Sequence, residues 1–137
     1  MTERPRLFRV ALHVSDIGRA LECYSTLLGL PGIAVGPGRS YFHTDGAILV
    51  CVDPVREGHD WLERRANAGH TYFAVDDVEA YAERARDAGC TILDGPVDRD
   101  WGERSFYARD PFGNPLCLVE AATAYTALPA AERATTK

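Results

Sequence analysis

The sequence predicts an α+β fold in which two β-α-β-β-β modules form an open barrel of curved sheets. Three observations support this prediction: a weak internal repeat of about fifty residues, a helix-period stripe after the first strand of each half, and a closing strand hairpin. Residues 12–16 (LHVSD) correspond to residues 73–77 (FAVDD) of the second half. Each half is too small to bury a sheet face well, so we expect the two halves to pair.

The first module is predicted over about residues 6–53. Apolar residues recur at helical spacing from Ile17 to Leu28, between the N-cap candidates Ser15 and Asp16 and the stop at Gly29. Strands are predicted at 7–14, 40–43 and 47–52, with a short one inside the glycine- and proline-rich segment 30–38.

A charged linker, 54–69, separates this module from the second, which is predicted over about residues 70–121. The linker could contain a helical turn around residues 61–66, and Trp61 is either a lid over the cleft or a residue that packs down. Asp76-Asp77-Val78-Glu79 resembles a capping box, and the helical stripe that follows it ends at Gly89. Strands are predicted at 70–75, 90–93, 103–108 and 116–119.

Length and composition limit the classes of function. The 137 residues suit one domain, 1–121, followed by an alanine- and threonine-rich tail, 122–137, that we expect to be frayed. The net charge of −5 and the lack of a basic run argue against nucleic acid, and no run approaches the ~20 apolar residues of a membrane helix. With no apolar stretch typical of a signal peptide, a cytoplasmic protein is expected.

The four cysteines are too widely spaced for a structural zinc site, whose ligands usually come in close pairs. We expect them to be reduced thiols that are mostly buried.

The closing hairpin resembles a family signature. Residues 101–107 (WGERSFY), followed by 110–114 (DPFGN), resemble the last hairpin of the vicinal oxygen chelate superfamily, and the resemblance covers roughly residues 7–121. That group contains glyoxalase I, fosfomycin-modifying enzymes, extradiol dioxygenases and bleomycin-resistance binding proteins. The resemblance implies this fold and a homodimer, often with sites built from both chains, but a shared scaffold does not settle the function.

The resemblance also implies four positions for metal ligands, and this chain departs from most of them. Arg9 stands at the first position, and a permanently charged guanidinium cannot bind a cation. His70 matches the histidine of the second position. The third position lies in the strand 47–52, which offers only Cys51, and the fourth is Cys117, where the metalloenzymes carry Glu.

Other donors lie near these positions. Glu120 is three residues beyond Cys117, and because strand side chains alternate, it should point to the other face unless a bulge intervenes. His13 shares the face of Arg9, where it is either close to a substrate or a structural histidine. His13, His70 and either Cys117 or Glu120 could in principle form a facial triad for Fe²⁺ or Zn²⁺.

The predicted cleft has an aromatic lining with a few polar groups, which suits an organic ligand. Tyr107 matches the place of an active-site tyrosine in extradiol dioxygenases, although it could equally be a core tyrosine with one wet end. Tyr41 or Phe42 should contribute as well. The candidate ligand-binding residues are Arg9, His13, His70, Tyr72, Trp101, Glu103, Ser105, Tyr107 and Cys117.

Three functions remain open. The first is a metal-independent protein that binds and sequesters a natural product or drug, with no cofactor. The second is a divalent-metal enzyme of the lactoylglutathione lyase or extradiol dioxygenase kind, using Fe, Zn, Mn or Ni, with His70, His13 and Glu120 as ligands and Tyr107 and His70 as catalytic residues. The third is a metal-free enzyme that uses His70, His13 or Tyr107 as acid or base.

Overall fold

The computed structural model, which describes residues 4–58 and 65–126, confirms the α+β fold of two modules. Its two four-stranded mixed sheets are curved and are not closed into a barrel. The first sheet has the order β1-β4-β3-β2 and the second the order β5-β8-β7-β6. The strands are β1 Arg9–His13, β2 Ile33–Ala34, β3 Arg39–His43, β4 Ile48–Val52, β5 Thr71–Val75, β6 Thr91–Asp98, β7 Arg104–Arg109 and β8 Pro115–Glu120.

Each module has one helix. The predicted N-cap candidate Asp16 begins the first helix, but the predicted capping box of Asp76 and Glu79 does not form, because Asp77 is the cap of the second helix and the Glu79 carboxylate pairs with Arg104. Helix α1, Ile17–Leu28, is capped by the Asp16 carboxylate and ends at Gly29, which has a φ of 66°. Helix α2, Val78–Asp87, is capped by the Asp77 carboxylate, which accepts from the Ala80 N–H. Both caps satisfy backbone N–H groups that a first helical turn leaves unpaired. In the described part of the chain no helix is long and apolar enough to cross a membrane.

Both helices pack on the same side of their sheets and share one continuous apolar core. The first sheet contributes alternate residues such as Leu12, Phe42 and Leu49, and the second contributes Phe106 and Leu118. Because strand side chains alternate, the residues between these point to the other side of each sheet. We call that second side the open face.

A buried polar network joins the two modules. Asn114, which precedes β8, donates from its amide to the His13 carbonyl at 2.9 Å and to the Asp110 carboxylate at 2.9 Å. Its amide oxygen accepts from the Asn67 N–H at 2.7 Å. The Tyr24 hydroxyl of α1 donates to Asp110 at 2.6 Å. The Asp-Pro-x-Gly-Asn turn therefore fastens the second module to the first strand and first helix.

Strand β6 is longer than the predicted 90–93, because it continues through Gly95 and Pro96 with two register shifts against β7. Shifts of this kind let an edge strand accept a proline. Gly95 has a φ of 94°, and a Cβ added there would lie 2.5 Å from the Ser105 carbonyl oxygen. Residues 94–98 carry no clear alternation of apolar and polar side chains from which this extension could be predicted.

The start of β1 and the segment after β8 also differ from the sequence prediction. β1 is shorter than the predicted 7–14, and Leu7 and Phe8 before it are exposed. The predicted turn at 61–66 and the lid residue Trp61 fall wholly or largely outside the described residues. After β8 a 3₁₀ turn, Ala121–Thr123, packs beside β7, where the Thr123 hydroxyl accepts from the Arg104 N–H at 2.9 Å.

Candidate functional site

Three rings form the centre of the open face of the second sheet. Tyr107 on β7 and Tyr72 on β5 both lie opposite Cys117 of the central strand β8. His70, just before β5, has its ring centre 5.2 Å from that of Tyr107, edge to face, and 6.1 Å from that of Tyr72. Tyr72 is 66% exposed. The structure thus assembles four predicted site residues into one surface that could stack a planar ligand.

Arg99 covers one side of this surface, and the sequence did not single it out. Its guanidinium carbon lies 4.9 Å from the centre of the Tyr107 ring. Its N–H groups donate to the Ser105 hydroxyl at 3.0 Å, the Ser105 carbonyl at 3.1 Å and the Asp94 carboxylate at 2.7 Å. The arginine side chain is only 10% exposed. Ser105, another predicted site residue, is therefore used to hold Arg99.

Burial keeps the groups at the centre of this face protonated. It raises the pKa of the Cys117 thiol, although hydrogen bonds from Ser105 and Tyr107 oppose the shift. Burial also raises the pKa of the Tyr107 phenol, and a nearby Cys117 thiolate would raise it further. At neutral pH the phenol of Tyr107 is therefore protonated and can donate a hydrogen bond, and the buried Cys117 is a thiol and not a thiolate nucleophile.

Two predicted site residues, Trp101 and Glu103, lie at the turn between β6 and β7. The Trp101 indole N–H donates to one Glu103 oxygen at 2.9 Å, and the other oxygen accepts from the Tyr125 N–H at 2.8 Å. Glu103 thus holds the turn against the chain that follows β8. This contact gives both residues a structural role that does not require a ligand.

The two remaining predicted ligand-binding residues, Arg9 and His13, lie on the first sheet. The Arg9 guanidinium carbon is 5.0 Å from the centre of the Phe8 ring and 5.2 Å from that of the Tyr41 ring. His13 is fixed through its backbone, whose N–H donates to the Asn67 side chain at 3.0 Å. Of the two aromatic candidates on β3, Tyr41 is on the open face and Phe42 is in the core.

A cavity of about 430 Å³ lies between residues of β1 and β4 on one sheet and of β5 on the other. Its lining is mainly apolar and includes Val10, Ile48 and Phe73. Among the predicted site residues only Tyr72 reaches it. The ring surface on β5 is therefore continuous with a space large enough for a small organic molecule.

The comparison with protein families agrees with this geometry. The family model of the Glyoxalase/Bleomycin resistance protein/Dioxygenase superfamily matches residues 6–118. The chain belongs to this superfamily. No curated protein gave a significant match.

Several solved structures share the fold at low sequence identity. A glyoxalase-related enzyme from Fulvimarina pelagi aligns with a TM-score of 0.75 and 17% identity, over 85% of this chain and 88% of that one. A glyoxalase/bleomycin resistance protein from Albidiferax ferrireducens aligns with a TM-score of 0.69 and 23% identity, over 83% and 98%. An integron cassette protein from V. cholerae aligns with 0.67 and 25%, over 92% and 99%. Likeness at this level establishes the fold and leaves the activity open.

The superfamily includes metal enzymes, and the question is whether the donor side chains of this chain are placed to bind one metal ion. Across residues 4–58 and 65–126, no group of three or more His, Cys, Asp or Glu side chains is placed to hold an ion. His70 and Cys117 share the open face of the second sheet, whereas His13 belongs to the first sheet. β8 pairs without a register shift to Glu120, which places that carboxylate on the face opposite Cys117. The predicted ligand set His70, His13 and Glu120 therefore does not fit a divalent metal within this chain.

Proposed function

We propose that this member of the superfamily binds a small organic molecule without a metal, as a sequestering protein for a natural product or drug. The observation that carries the proposal is the ring surface of His70, Tyr72 and Tyr107, which is exposed at Tyr72 and lies in a part of the chain where, among the described residues, no three donor side chains are placed to hold an ion. Such a surface gains binding energy by stacking and by excluding water.

Each residue of the surface has a role in this proposal. Tyr72 and His70 stack on the ligand, and the Tyr107 phenol donates a hydrogen bond to an oxygen of the ligand. Arg99 stiffens the phenol by stacking on its ring while its own charge is neutralised by Asp94. A ring surface held in one conformation before binding loses less entropy when the ligand arrives.

The proposal extends to the assembly and the setting. A homodimer in the cytoplasm would bring a second copy of the ring surface into one molecule. Superfamily membership supports dimers and small ligands in general. The ligand's identity, and any resistance that its capture confers, would follow from a binding screen.

The test is a thermal-shift screen of metal-stripped protein against flat aromatic compounds such as flavonoids, anthracyclines and coumarins. Compounds that stabilise the protein are then titrated by calorimetry. Tyr72→Ala should weaken binding about tenfold, because it removes one stacking partner worth roughly 1 kcal/mol or more. Tyr125→Ala removes another exposed tyrosine, whose backbone N–H donates to Glu103, and should leave the affinity unchanged.

Two results would contradict the proposal. One is a compound that binds only after Fe, Zn, Mn or Ni has been added in stoichiometric amount. The other is an affinity that Tyr72→Ala and Tyr125→Ala change equally, which would place the ligand away from the ring surface.

A further inference from the structure

The open face of the first sheet has an unusual distribution of charge. Strands β1, β3 and β4 contain four basic residues and no acidic one. All four basic residues, Arg9, His13, Arg39 and His43, alternate with core residues and so share the open face. In a chain of net charge −5, this local excess of basic side chains is not a consequence of composition.

The pairing of the strands fixes where these residues lie. Ile48, Val50 and Val52 of β4 run down the centre of the face. Arg9 and His43 both lie opposite Ile48, and His13 and Arg39 both lie opposite Val52. The basic residues therefore mark the corners of a small rectangle, and its middle is apolar.

The middle row completes the apolar centre. Val50 has Ala11 on one side and Tyr41 on the other. Val50 is buried, Tyr41 is half-buried and Ala11 is exposed. A flat hydrocarbon group would therefore meet the exposed Ala11 and the half-buried Tyr41 ring, which flank the buried Val50.

The two arginines differ in how their charges are balanced. Arg39 is neutralised by Glu57, whose carboxylate accepts from the Arg39 Nε–H at 2.7 Å. Arg9 has no carboxylate partner among the residues that the structure describes. It is held by the rings of Phe8 and Tyr41 instead, and rings cannot accept the in-plane hydrogen bonds of a guanidinium.

An arginine held in this way is prepared to bind an anion. The stacked rings restrict its side chain, and its N–H groups stay available to a carboxylate, which a guanidinium binds in a two-pronged geometry. We propose that the open face of the first sheet binds an organic anion, with its carboxylate on Arg9 and its flat apolar body against the Tyr41 ring and Ala11, on either side of the buried Val50. This site does not rest on the function proposed above, since it uses the other sheet and none of the rings of the second.

The test is a titration of the ¹⁵N-labelled protein, followed by the backbone amide and arginine Nε–H resonances. The probes are 2-naphthoate, benzoate, 2-naphthamide and inorganic phosphate. We expect 2-naphthoate to shift the resonances of β1, β3 and β4 and to bind more tightly than benzoate, because it buries more apolar surface. The neutral 2-naphthamide and inorganic phosphate should each bind several-fold more weakly, because each lacks one half of the interaction.

Two variants separate the charge from the stacking. Arg9→Gln should weaken binding of 2-naphthoate about tenfold, whereas Arg86→Gln should leave it within about twofold. Arg86 is a matched control, because it is an exposed arginine on α2 with the same charge, paired to Glu83 and far in sequence from the first sheet. Tyr41→Leu should weaken 2-naphthoate while the Arg9 side chain remains present.

Several results would overturn the inference. They are the absence of any shift with millimolar 2-naphthoate, shifts confined to the second sheet, or equal affinity for 2-naphthoate and 2-naphthamide. Equal effects of Arg9→Gln and Arg86→Gln would also overturn it, since they would reduce the role of Arg9 to its contribution to net charge. Phosphate that binds as tightly as 2-naphthoate would show that the apolar row contributes nothing.

Discussion

The two open faces are formed by equivalent strands, in the orders β1-β4-β3-β2 and β5-β8-β7-β6, and differ in their side chains. Tyr41 and Tyr107 occupy equivalent positions, each across the central strand from a residue of the first strand of its module. The repeat aligns Arg9 with His70 in the same way, and each of these basic groups lies beside its module's tyrosine. The central residue beside that tyrosine is Val50 in one sheet and Cys117 in the other.

The two faces differ most clearly in the burial and the charge pairing of their arginines. On the second sheet, Arg99 is nearly buried and its charge is balanced by Asp94. On the first sheet, Arg9 is exposed, lies over the Phe8 and Tyr41 rings, and has no ion-pair partner in the described part of the chain. Arg99 therefore forms part of the second sheet's surface, whereas the N–H groups of Arg9 are available to a ligand in the site proposed above.

The relative position of the two open faces depends on the buried polar network that joins the modules. Breaking that network should have the largest effect on stability. Asn114→Ala should lower the free energy of unfolding by about 3 kcal/mol. It leaves the His13 carbonyl and the Asn67 N–H without their hydrogen-bond partner and removes one hydrogen bond to Asp110. Chemical denaturation followed by far-UV circular dichroism measures the loss.

Ser40→Ala is the matched control for that variant. The Ser40 hydroxyl is also buried, but among the residues described here it has no hydrogen-bond partner. Its removal should leave stability unchanged or raise it slightly. A loss as large as that of Asn114→Ala would show that burial of a polar group, and not its partners, decides the cost.

The second prediction compares the two arginines directly. Arg99→Gln should lower the free energy of unfolding by about 2 kcal/mol, since it removes the hydrogen bonds to Ser105 and Asp94 and uncovers Tyr107. Arg9→Gln should change it by less than about 0.5 kcal/mol, because that side chain is exposed. Equal losses, measured by denaturation, would remove the distinction between a structural and an available arginine.

The third prediction concerns alkaline pH and the core side of the two central strands. Cys51 of β4 corresponds to Leu118 of β8, so only the first sheet has an ionisable group at this place. Burial, aided by the charge of Asp110, raises the pKa of Cys51 from 9.0 to about 12. A group whose pKa is raised by folding stabilises the native state below its unfolded pKa, and this stabilisation is lost as the pH rises through the interval from 9 to 12.

At pH 10 the loss due to Cys51 should be about 1.4 kcal/mol, one pKa unit above the unfolded value. Denaturation of the Cys51→Ala variant at pH 8 and pH 10 should show a pH dependence smaller by that amount than in the unchanged protein. The other buried thiols and phenols are present in both proteins and cancel. An identical pH dependence would mean that Cys51 does not titrate in this interval.

The parts of the fold set by local rules could be predicted from the sequence. The caps Asp16 and Asp77 and the stop at Gly29 depend on a few neighbouring residues, and the alternation along β8 fixes the opposite orientations of Cys117 and Glu120. The central apolar strands and the module repeat follow from the same short-range periodicity.

The parts that depend on distant contacts could not be predicted. Arg99 reaches the site because the turn before β7 folds back onto Ser105, and no short-range pattern indicates that contact. Asn67 and Asn114 bind the edge of β1, at separations of 54 and 101 residues from His13. The Glu103 carboxylate accepts hydrogen bonds from Trp101 and Tyr125, and this likewise depends on the path of the chain after β8.

The most direct test of the proposed function is the affinity of one aromatic ligand from the thermal-shift screen, measured on metal-stripped protein and again after addition of Fe, Zn, Mn or Ni. We predict the same affinity in every sample, and about tenfold weaker binding in each sample for Tyr72→Ala. Binding that appears only with a stoichiometric metal, and that disappears together with the metal in His70→Ala, would contradict the account.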